Sequence, residues 1–424
     1  MESTAGISGA GRIKPGRQDC GRVFGRAMNI WIIGDAFGFP NGYGATARVL
    51  AYAKGLQKNG ATVRVICLKA FERSEDGVLN TEPRGVYDGI PFEYACGKTV
   101  RGATFLQRRI LELQGIWGLI HAMFTQAHRE KLDAVIIYTT YSLFWTLFVW
   151  LIARLVGAKT VLDVCELPFV SRKLSWAIKL QSWALTRIVF RLVDGIIVIS
   201  RYLKDYVVQR HSSAKLLRVP ILVDPDRFNV DGNAKKTGHR KKVLYSGNLA
   251  QDGEVAGLIE IVGKLASAEI EFGLQIVGDS GSRIRAEIQA RAAELGVSDR
   301  VEFIGAAMRD DLPARLNSAD VFVLPRKQGA FSDAGFPTKL GEYLATGKPV
   351  VVTSTGEISD HLQDGVSAFL APPNDLDAFA KQLRRVLDNP VLAAEIGARG
   401  QQIARERFDY RVHGKRIIDF IETI

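Results

Sequence analysis

The sequence predicts an α/β protein with two doubly wound domains that face one another across a cleft. Three observations lead to this prediction. Short β-branched runs alternate with stretches of helical length from residue 29 onward, which is typical of parallel sheets with helical crossovers. The alternation stops in residues 223–242, where proline, glycine, aspartate and lysine take over as in a linker, and it then restarts. The chain has 424 residues, which is too long for one ordinary domain.

The predicted strands follow the β-branched runs. In the first half they are NIWIIG (29–34), TVRVICL (62–68), AVIIYTT (134–140), KTVLDVC (159–165), DGIIVIS (194–199) and about 215–222. In the second half they are KVLYSG (242–247), FGLQIVG (272–278), RVEFIG (300–305), VFVLP (321–325), PVVVTS (349–354) and SAFLA (367–371). Each first-half strand is expected to precede a helix, and three helices near 375–388, 391–407 and 410–424 close the chain. Ligands of such sheets gather at the carboxyl ends of the strands, so the cleft is the expected site.

The ends of the domains are predicted from composition. Residues 1–27 hold six glycines and five basic residues but no apolar run of signal-peptide length, so we expect a disordered basic tail. Order is expected to begin at Met28, which is also a candidate for the natural start. The first domain is then 28–223 and the second 224–409. Residues 134–153 carry no charge over twenty positions, long enough for a membrane span. Because their first part is β-branched, a strand followed by a helix is favoured over a span.

Charge is divided unevenly along the chain. Residues 1–223 hold 30 Lys and Arg against 16 Asp and Glu, whereas 224–424 hold 26 against 29. The basic excess therefore belongs to the first half, where nucleic acid, an anionic membrane surface or a phosphorylated substrate are candidate partners. The four cysteines are scattered without a C-x-x-C pair, which favours a reducing compartment and gives no signal for a metal site.

Basic and aromatic residues recur at helical spacing in 171–193, and less strongly in 105–131. This pattern suits a helix in an anionic membrane interface, although an ordinary crossover helix with an aromatic stripe on the sheet would give it too. The restriction of the basic excess to this half favours the membrane. Nucleic acid is disfavoured because no reader module is recognisable.

The stretch GFPTKLGEY (335–343) carries the strongest chemical signal. Pro337 suits the first turn of a helix, whose unpaired N–H groups attract an anion, and Gly335 allows close approach of a ligand. Lys339 adds a full charge and Glu342 can accept hydrogen bonds from vicinal sugar hydroxyls. Arg326, just after a strand, enters the same region. The residues predict a site for a diphosphate and a ribose, or else merely a capped helix with a surface Lys–Glu pair.

The segment FPTKLGEYLATGKPVV (336–351) resembles the donor site of family 4 retaining glycosyltransferases of the GT-B fold, in the branch with a Phe-Pro-(Ser/Thr)-Lys motif. LPRKQ (324–328), LYSGNL (244–249) and VEFIGAAMRDDLPARLNSADVFVLP (301–325) are also similar to that family, and the likeness in layout covers residues 28–424. The resemblance implies two Rossmann-like domains, and a final helix, 410–424, that returns to the first of them.

The resemblance also implies roles for individual residues. Glu342 would hold the nucleotide ribose, while Arg326 and Lys339 would meet the diphosphate as catalytic cations. The remaining donor-binding positions that it implies are Gly247, Asn248, Asp333, Gly335, Phe336, Pro337 and Thr338, with Gly305 and Ala306 near the base.

Three departures from the family pattern affect this site. Ala334, with Asp333 beside it, stands where the commoner pattern has a first glutamate. Asn248 replaces an arginine, and the lysine expected soon afterwards is missing from AQDGEV (250–255). Arg326 and Lys339 would therefore carry more of the leaving phosphate's charge.

In the first domain, GDAFGFPNGYGATARVL (34–50) is a glycine-rich loop that could present N–H groups to phosphate or to an acceptor, or serve as a plain connection. It is similar to the family's acceptor loop, with Gly42, Tyr43 and Gly44 in the matching places. Glu166, after the strand that ends at Cys165, would reach the cleft as a third catalytic residue, orienting an acceptor hydroxyl or the donor sugar. It could equally be a solvated carboxylate.

The function implied by this resemblance is retaining transfer of a sugar from a nucleotide-diphosphate donor to a glycan or lipid-linked acceptor, in polysaccharide or lipopolysaccharide assembly. The resemblance implies chemistry without metal or cofactor, so Arg326, Lys339 and the helix N-terminus would meet the charge that develops on the leaving diphosphate. The leaving phosphate itself would take the acceptor's proton, so no strong general base is required. The expected location is the cytoplasm, peripheral on the inner face of the cell membrane. Two alternatives are a nucleotide-sugar 2-epimerase, which gives no reason for basic aromatic helices, and a non-catalytic nucleotide-sugar-binding subunit, which the missing cations permit.

Overall fold

The structure is a computed structural model, and it places two parallel sheets in sequence. It describes residues 26–72, 78–138, 142–167, 176–228, 240–247, 254–266, 270–278, 281–305, 307 and 309–424. Nearly all of the predicted basic tail, and the linker positions 229–239, lie outside these residues.

The first sheet has eight strands in the order β3-β4-β2-β1-β5-β6-β7-β8. All neighbours are parallel except the edge pair β3 and β4. The strands are β1 Asn29–Gly34, β2 Thr62–Cys67, β3 Arg84–Tyr87, β4 Ile90–Tyr94, β5 Ala134–Tyr138, β6 Lys159–Val164, β7 Gly195–Val198 and β8 Leu216–Arg218.

The second sheet has six strands in the order β11-β10-β9-β12-β13-β14, and all of them are parallel. They are β9 Lys241–Ser246, β10 Phe272–Val277, β11 Val301–Gly305, β12 Val321–Leu324, β13 Val350–Thr353 and β14 Phe369–Ala371. The fold class predicted from the sequence, two doubly wound α/β sheets, is confirmed.

The α-helices cover both faces of each sheet and alternate with the strands. They are α1 Gly44–Lys58, α2 Phe105–Arg129, α3 Leu143–Leu155, α4 Trp176–Ala184, α5 Phe190–Leu192, α6 Arg201–Val208, α7 Glu254–Leu265, α8 Gly281–Glu294, α9 Leu312–Asn317, α10 Ala330–Ala334, α11 Thr338–Ala345, α12 Ile358–His361, α13 Leu376–Asp388, α14 Pro390–Arg407 and α15 Tyr410–Thr423. A π-helical turn, Leu185–Val189, joins α4 to α5.

One prediction about individual elements is wrong and another is confirmed. The prediction that every first-half strand precedes a helix is wrong for β2, which is followed by the hairpin β3–β4 before α2 begins. Within the uncharged stretch 134–153, residues 134–138 form β5 and residues 143–153 belong to α3, as predicted. Within the described ranges, no helix is both long and apolar enough to cross a bilayer.

The two faces of the first sheet bury alternate residues of the same strands. In β1, Ile30 and Ile32 pack toward α1 and α15, whereas Trp31 and Ile33 pack toward α2 and α3. This alternation follows from the two-residue period of a strand. Helices α1 and α15 therefore share one face, and α2 to α6 cover the other.

The final helix, α15, belongs to the core of the first sheet although it ends the chain. Ile417 and Ile421 are fully buried there, and Lys159 Nζ donates to the carbonyl oxygen of Ile421 at 2.8 Å. Gly55 of α1 and Gly414 of α15 meet backbone to backbone, and a Cβ on either would collide with the other helix. Glycine is required at this crossing for close approach alone.

The two domains also meet directly between the sheets. Ser200 Oγ, at the start of α6, donates to the carbonyl oxygen of Ala334 at 2.5 Å. Arg218 of β8 forms an ion pair with Glu357 at 3.2 Å. The connecting chain at Val223 is tied to the junction between α14 and α15 by a hydrogen bond from its N–H to the Phe408 carbonyl, 2.8 Å long. These contacts hold the carboxyl ends of both sheets toward a common cleft.

Candidate functional site

A helix begins within the stretch 335–343, as the sequence predicted. Helix α11 starts at Thr338, and Pro337 stands before it with extended backbone, φ −71° and ψ 115°. Leu340, Tyr343 and Leu344 are buried and anchor the helix on the sheet. Lys339 and Glu342, three positions apart, lie on its neighbouring, partly exposed face.

Lys339 contacts the second sheet rather than solvent. Its Nζ donates to the Tyr245 hydroxyl at 2.9 Å and lies 3.2 Å from Glu254 Oε2. The amine also lies 4.4 Å from the centre of the Tyr245 ring. A Cβ at Gly247 would stand only 2.5 Å from this Nζ, so glycine at the end of β9 leaves room for the cation.

Arg326 lies on the other side of the same carboxylate. It follows β12, its residue is 7% exposed, and its Nε lies 3.6 Å from Glu254 Oε1. The Tyr245 hydroxyl donates to Glu254 Oε2 at 2.8 Å. Two cations, a phenol and one buried carboxylate thus form a compact cluster at the carboxyl ends of β9 and β12. We call Tyr245, Glu254, Arg326 and Lys339 the cation cluster.

Glu342 faces a second group of charges. Burial raises the pKa of its carboxyl group, while Arg309, Arg227 and Lys339 act in the opposite direction. Burial, and repulsion from Arg227, lower the pKa of Arg309, which attraction to Glu342 partly offsets. Arg309 Nε is buried and has no hydrogen-bond partner among the described residues.

These side chains line a pocket between the domains. Its lining includes Glu342, Arg309 and Arg227, and also Leu50 and Lys54 of α1. A ligand that hydrogen-bonds to Glu342 would therefore also contact the first domain.

The other predicted donor-binding residues occupy different places around α11. The Phe336 ring points into the core, against His361 and Phe408 at centroid distances of 5.3 and 5.5 Å. Only its backbone is thus available to a ligand. Gly335 has φ −93° and needs no left-handed conformation, but a Cβ there would lie 3.1 Å from the Phe331 carbonyl. Asp333, in α10, is partly buried.

The predicted acceptor loop lies directly against the donor segment. Gly44 begins α1, and a Cβ on it would stand 3.1 Å from Thr338 Oγ1. At Gly42 a Cβ would collide with the Thr46 side chain, and Tyr43 is 56% exposed. The structure therefore brings the amino ends of α1 and α11, from different domains, into contact.

Glu166 is exposed just after β6. The buried carboxylate of this strand is Asp163, which accepts hydrogen bonds from Arg48 Nε at 3.0 Å and from the Tyr52 hydroxyl at 2.9 Å. Burial and the nearby Asp163 raise the pKa of the Cys165 thiol to about 12. Asp163 thus fixes α1 to the sheet, and it is Glu166 that can reach solvent.

The sequence alone did not predict roles for Tyr245, Glu254, Arg227 or Arg309. Glu254 lies in AQDGEV (250–255), a segment that was considered only because it lacks the lysine of the family pattern. Gly305, expected near the base, ends β11 with φ 82°, and Asn248 and Ala306 lie outside the described residues. No three His, Cys, Asp or Glu side chains are grouped as metal ligands anywhere in the described ranges.

Comparisons with known proteins agree with this architecture. Residues 43–221 match the family described as glycosyl transferase 4-like domain, and residues 226–403 match glycosyl transferases group 1. One relative is a GDP-mannose-dependent alpha-(1-6)-phosphatidylinositol monomannoside mannosyltransferase of Mycolicibacterium smegmatis. It is 27% identical over 280 residues, which are 64% of this chain and 72% of the relative. Another is 2-deoxystreptamine glucosyltransferase of Streptomyces kanamyceticus, 27% identical over 60% of this chain and 68% of its own.

Solved structures show the same fold. Sucrose-phosphate synthase from Thermosynechococcus elongatus superimposes with a TM-score of 0.71 at 16% identity, covering 93% of this chain and 98% of its own. Anabaena Alr3699/HepE in complex with UDP gives a TM-score of 0.69 at 17% identity, covering 94% and 100%. The first family match covers most of the first domain and its sheet, and the second match covers most of the second domain and its sheet. The chain is therefore a glycosyltransferase of the GT-B fold, with a 4-like first domain and a group 1 second domain.

Proposed function

We propose that the protein transfers a hexose from a nucleoside-diphosphate sugar to a lipid-linked acceptor at a membrane surface, with retention of the anomeric configuration. The observation that carries this proposal is the position of Lys339 and Arg326. Both cations lie at the carboxyl ends of second-domain strands, beside the start of α11, and α11 in turn contacts the acceptor loop at Gly44.

The donor's diphosphate would bind between these cations and the amino end of α11. A helix terminus favours an anion through its unpaired N–H groups and its dipole. Arg326 adds a guanidinium and Lys339 a compact ammonium, both largely buried and therefore weakly screened. Preorganised donors of this kind contribute roughly 3–4 kcal/mol each when charge develops on a leaving group.

The ribose and base would extend toward Glu342 and Arg309. A carboxylate accepts two hydrogen bonds from vicinal hydroxyls, and Glu342 lies one turn beyond Lys339 on the same helix. Arg309 carries a buried Nε–H without a partner in the described part of the chain, and such a group gains most from a ligand acceptor. Arg309 is thus the candidate for a contact with the nucleoside.

The acceptor hydroxyl would approach from the first domain, past Gly42, Tyr43 and Gly44. Breaking the sugar–phosphate bond leaves negative charge on the diphosphate, which the two cations meet. The leaving oxygen then takes the acceptor's proton on the face of the sugar from which it departs. In this scheme Glu166 orients the acceptor rather than acting as a strong base, and its exposed position after β6 suits that role.

Attachment to a membrane is supported by the outer side of α2. Gly115 and Gly118 bring the helix close to the sheet, while the opposite side presents apolar residues spaced by three, four or seven positions. These are Leu106, Ile110, Leu113, Trp117 and Phe124. Trp117 is 68% exposed. We call these five residues the α2 ridge.

Helix α4 lies on the same side of the sheet and repeats the pattern. Trp176, Leu180 and Trp183 are exposed at spacings of four and three residues. Lys179, Arg187 and Arg191 are exposed nearby. Apolar side chains flanked by cations suit an interface with anionic lipid. Relatives whose names include phosphatidylinositol monomannoside and colanic acid biosynthesis make a lipid-linked glycan acceptor the chemistry to test first.

The test is transfer of radiolabelled sugar from a panel of UDP- and GDP-sugars into lipid extract from membranes. We expect labelled lipid with one donor, and a loss of at least 100-fold with Lys339→Ala, because one preorganised charge is removed. Lys381→Ala, an exposed lysine of α13, is the matched control. Interconversion of the nucleotide sugars without transfer would favour a 2-epimerase. Donor binding without any turnover would favour a non-catalytic subunit.

A further inference from the structure

Glu254 places a negative charge where the proposed donor brings several more. Its residue is 5% exposed, and its two carboxylate oxygens are divided between the cations. Oε1 lies 3.6 Å from Arg326 Nε and Oε2 lies 3.2 Å from Lys339 Nζ. Tyr245 adds a donated hydrogen bond of 2.8 Å to Oε2.

A buried carboxylate of this kind stabilises two cations that would otherwise be costly to bury. Without it, Arg326 and Lys339 would repel each other in a largely dehydrated site. With it, both side chains are held at the end of the sheet before a ligand arrives. Glu254 is thus positioned to preorganise the cation cluster.

The same carboxylate acts against a bound diphosphate. Phosphate oxygens and the Glu254 oxygens are both acceptors that need Lys339 and Arg326, and they repel one another. We infer that Glu254 is an internal competitor for the diphosphate: a positioning residue that orders the two cations in the empty site and weakens the hold on the nucleoside-diphosphate product. This inference rests on the proposed donor site and concerns its affinity.

If this inference is right, removing the charge of Glu254 should change stability and ligand affinity in opposite directions. Neutralising Glu254 should make the empty protein less stable, since two buried cations lose their counter-charge. It should at the same time make the protein bind a nucleoside diphosphate more tightly. A carboxylate with a purely structural role would give only the first effect.

The experiment measures UDP and GDP binding by calorimetry, and melting temperature with and without ligand, for the full chain and three variants. Glu254→Gln removes the charge and keeps the shape. Glu254→Asp keeps the charge and shortens the reach. Glu260→Gln removes a carboxylate from the same helix, α7, where it pairs with Arg291 at 2.6 Å, and serves as the charge-matched control.

We expect Glu254→Gln to bind the preferred nucleoside diphosphate about tenfold more tightly, equivalent to about 1.4 kcal/mol. Its melting temperature without ligand should fall, and the ligand-induced rise should exceed that of the wild type. Glu254→Asp and Glu260→Gln should stay within about threefold of the wild-type affinity.

Unchanged or weaker binding by Glu254→Gln, with wild-type binding intact, would overturn the inference and leave the donor site standing. If neither UDP nor GDP bound the wild type, or if Lys339→Ala left their binding unchanged, the donor site itself would be overturned. The two failures are therefore distinguishable.

Discussion

The second domain buries a cluster of charged side chains at the end of its sheet, whereas the first domain exposes apolar side chains on α2 and α4. Around α11, four polar side chains of the cation cluster are gathered at the end of a sheet, and Glu254 and Arg326 are 5% and 7% exposed. On α2 and α4, tryptophans and leucines are largely exposed to solvent. The net charge also changes between the two domains, because the basic excess of the chain lies in residues 1–223.

The contrast indicates what each domain must accommodate. A buried cluster of charges is costly unless its members are paired, so it is expected where an ionic ligand is to be bound without much water. An exposed apolar ridge is costly in a different way, because it invites association. Under the proposed function, the second domain would hold the phosphorylated donor and the first would meet the lipid surface.

The largest effect is expected from the second domain. Arg326→Gln removes a buried guanidinium that would meet the leaving diphosphate, so we expect kcat/KM to fall about 100-fold or more. Binding to vesicles should be unchanged. Steady-state kinetics and vesicle co-sedimentation measure the two. Arg384→Gln, an exposed arginine of α13 paired with Asp388, is the control; an equal loss in that variant would show that the effect is not local.

A smaller effect is expected from the α2 ridge. Leu113→Ser combined with Trp117→Ser removes two exposed apolar groups, each worth about 1.5–3 kcal/mol when buried. Binding to vesicles that contain anionic phospholipid should therefore weaken more than tenfold, while UDP or GDP binding stays at the wild-type level. The matched control is Val391→Ser, an exposed valine of the second domain. Full retention of vesicle binding would show that the α2 ridge does not attach the protein to the membrane.

Disturbing the contact between α1 and α15 should lower the stability of the fold. Gly414→Val places a side chain where the backbone of Gly55 lies, and overpacking of this kind typically costs about 1–3 kcal/mol. The melting temperature should fall by several degrees in calorimetry. Lys415→Ala, the exposed neighbour on the same helix, should leave it nearly unchanged. A wild-type melting temperature for Gly414→Val would mean that the two helices separate at no cost.

The most gradual effect concerns pH. Burial lowers the pKa of both His361 and His413 to about 4, below the ordinary value of about 6.5. The unfolded chain therefore binds more protons between these values, and stability should be full above about pH 6.5 and decline as the pH falls toward 4. His413 accepts from Arg416 at Nδ1 and contacts the Arg407 carbonyl through Nε2 at 2.8 Å.

Urea unfolding at a series of pH values measures this decline. His413→Gln should flatten the curve between pH 6.5 and 4, whereas the exposed His128 replaced by glutamine should not. An identical slope in the His413 variant would rule out this histidine as a source of the pH dependence.

The predictions from sequence succeeded where local pattern dictates structure. The β-branched runs of the parallel strands are long and continuous, because both faces of each strand are covered. The hairpin β3–β4 was missed although a signal for it was present. Asp88 and Gly89 have φ values of 48° and 76°, as in the tight turn that an Asp-Gly pair favours. Its strands are only four and five residues long, too short to show a clear two-residue alternation of apolar residues.

The candidate site could be predicted only in part for a different reason. Lys339 and Glu342 share one helix with a recognisable spacing, so a single short stretch displays them together. Glu254 comes from a helix 85 positions earlier than Lys339, and its proximity depends on how β9 and β12 pair. Arg309 meets Glu342 through a loop after β11. Such partners are set by tertiary packing and leave no local pattern.

The return of α15 to the first sheet has a practical consequence for dissecting the molecule. A fragment beginning at Arg240 would carry the second sheet together with a helix whose apolar residues, Ile417 and Ile421, have lost the surface that covers them. A fragment ending at Phe228 would expose the matching groove along α1. Recombinant halves should therefore be divided so that α15 is supplied to the first half, as a fused or co-expressed peptide, if either half is to be studied by itself.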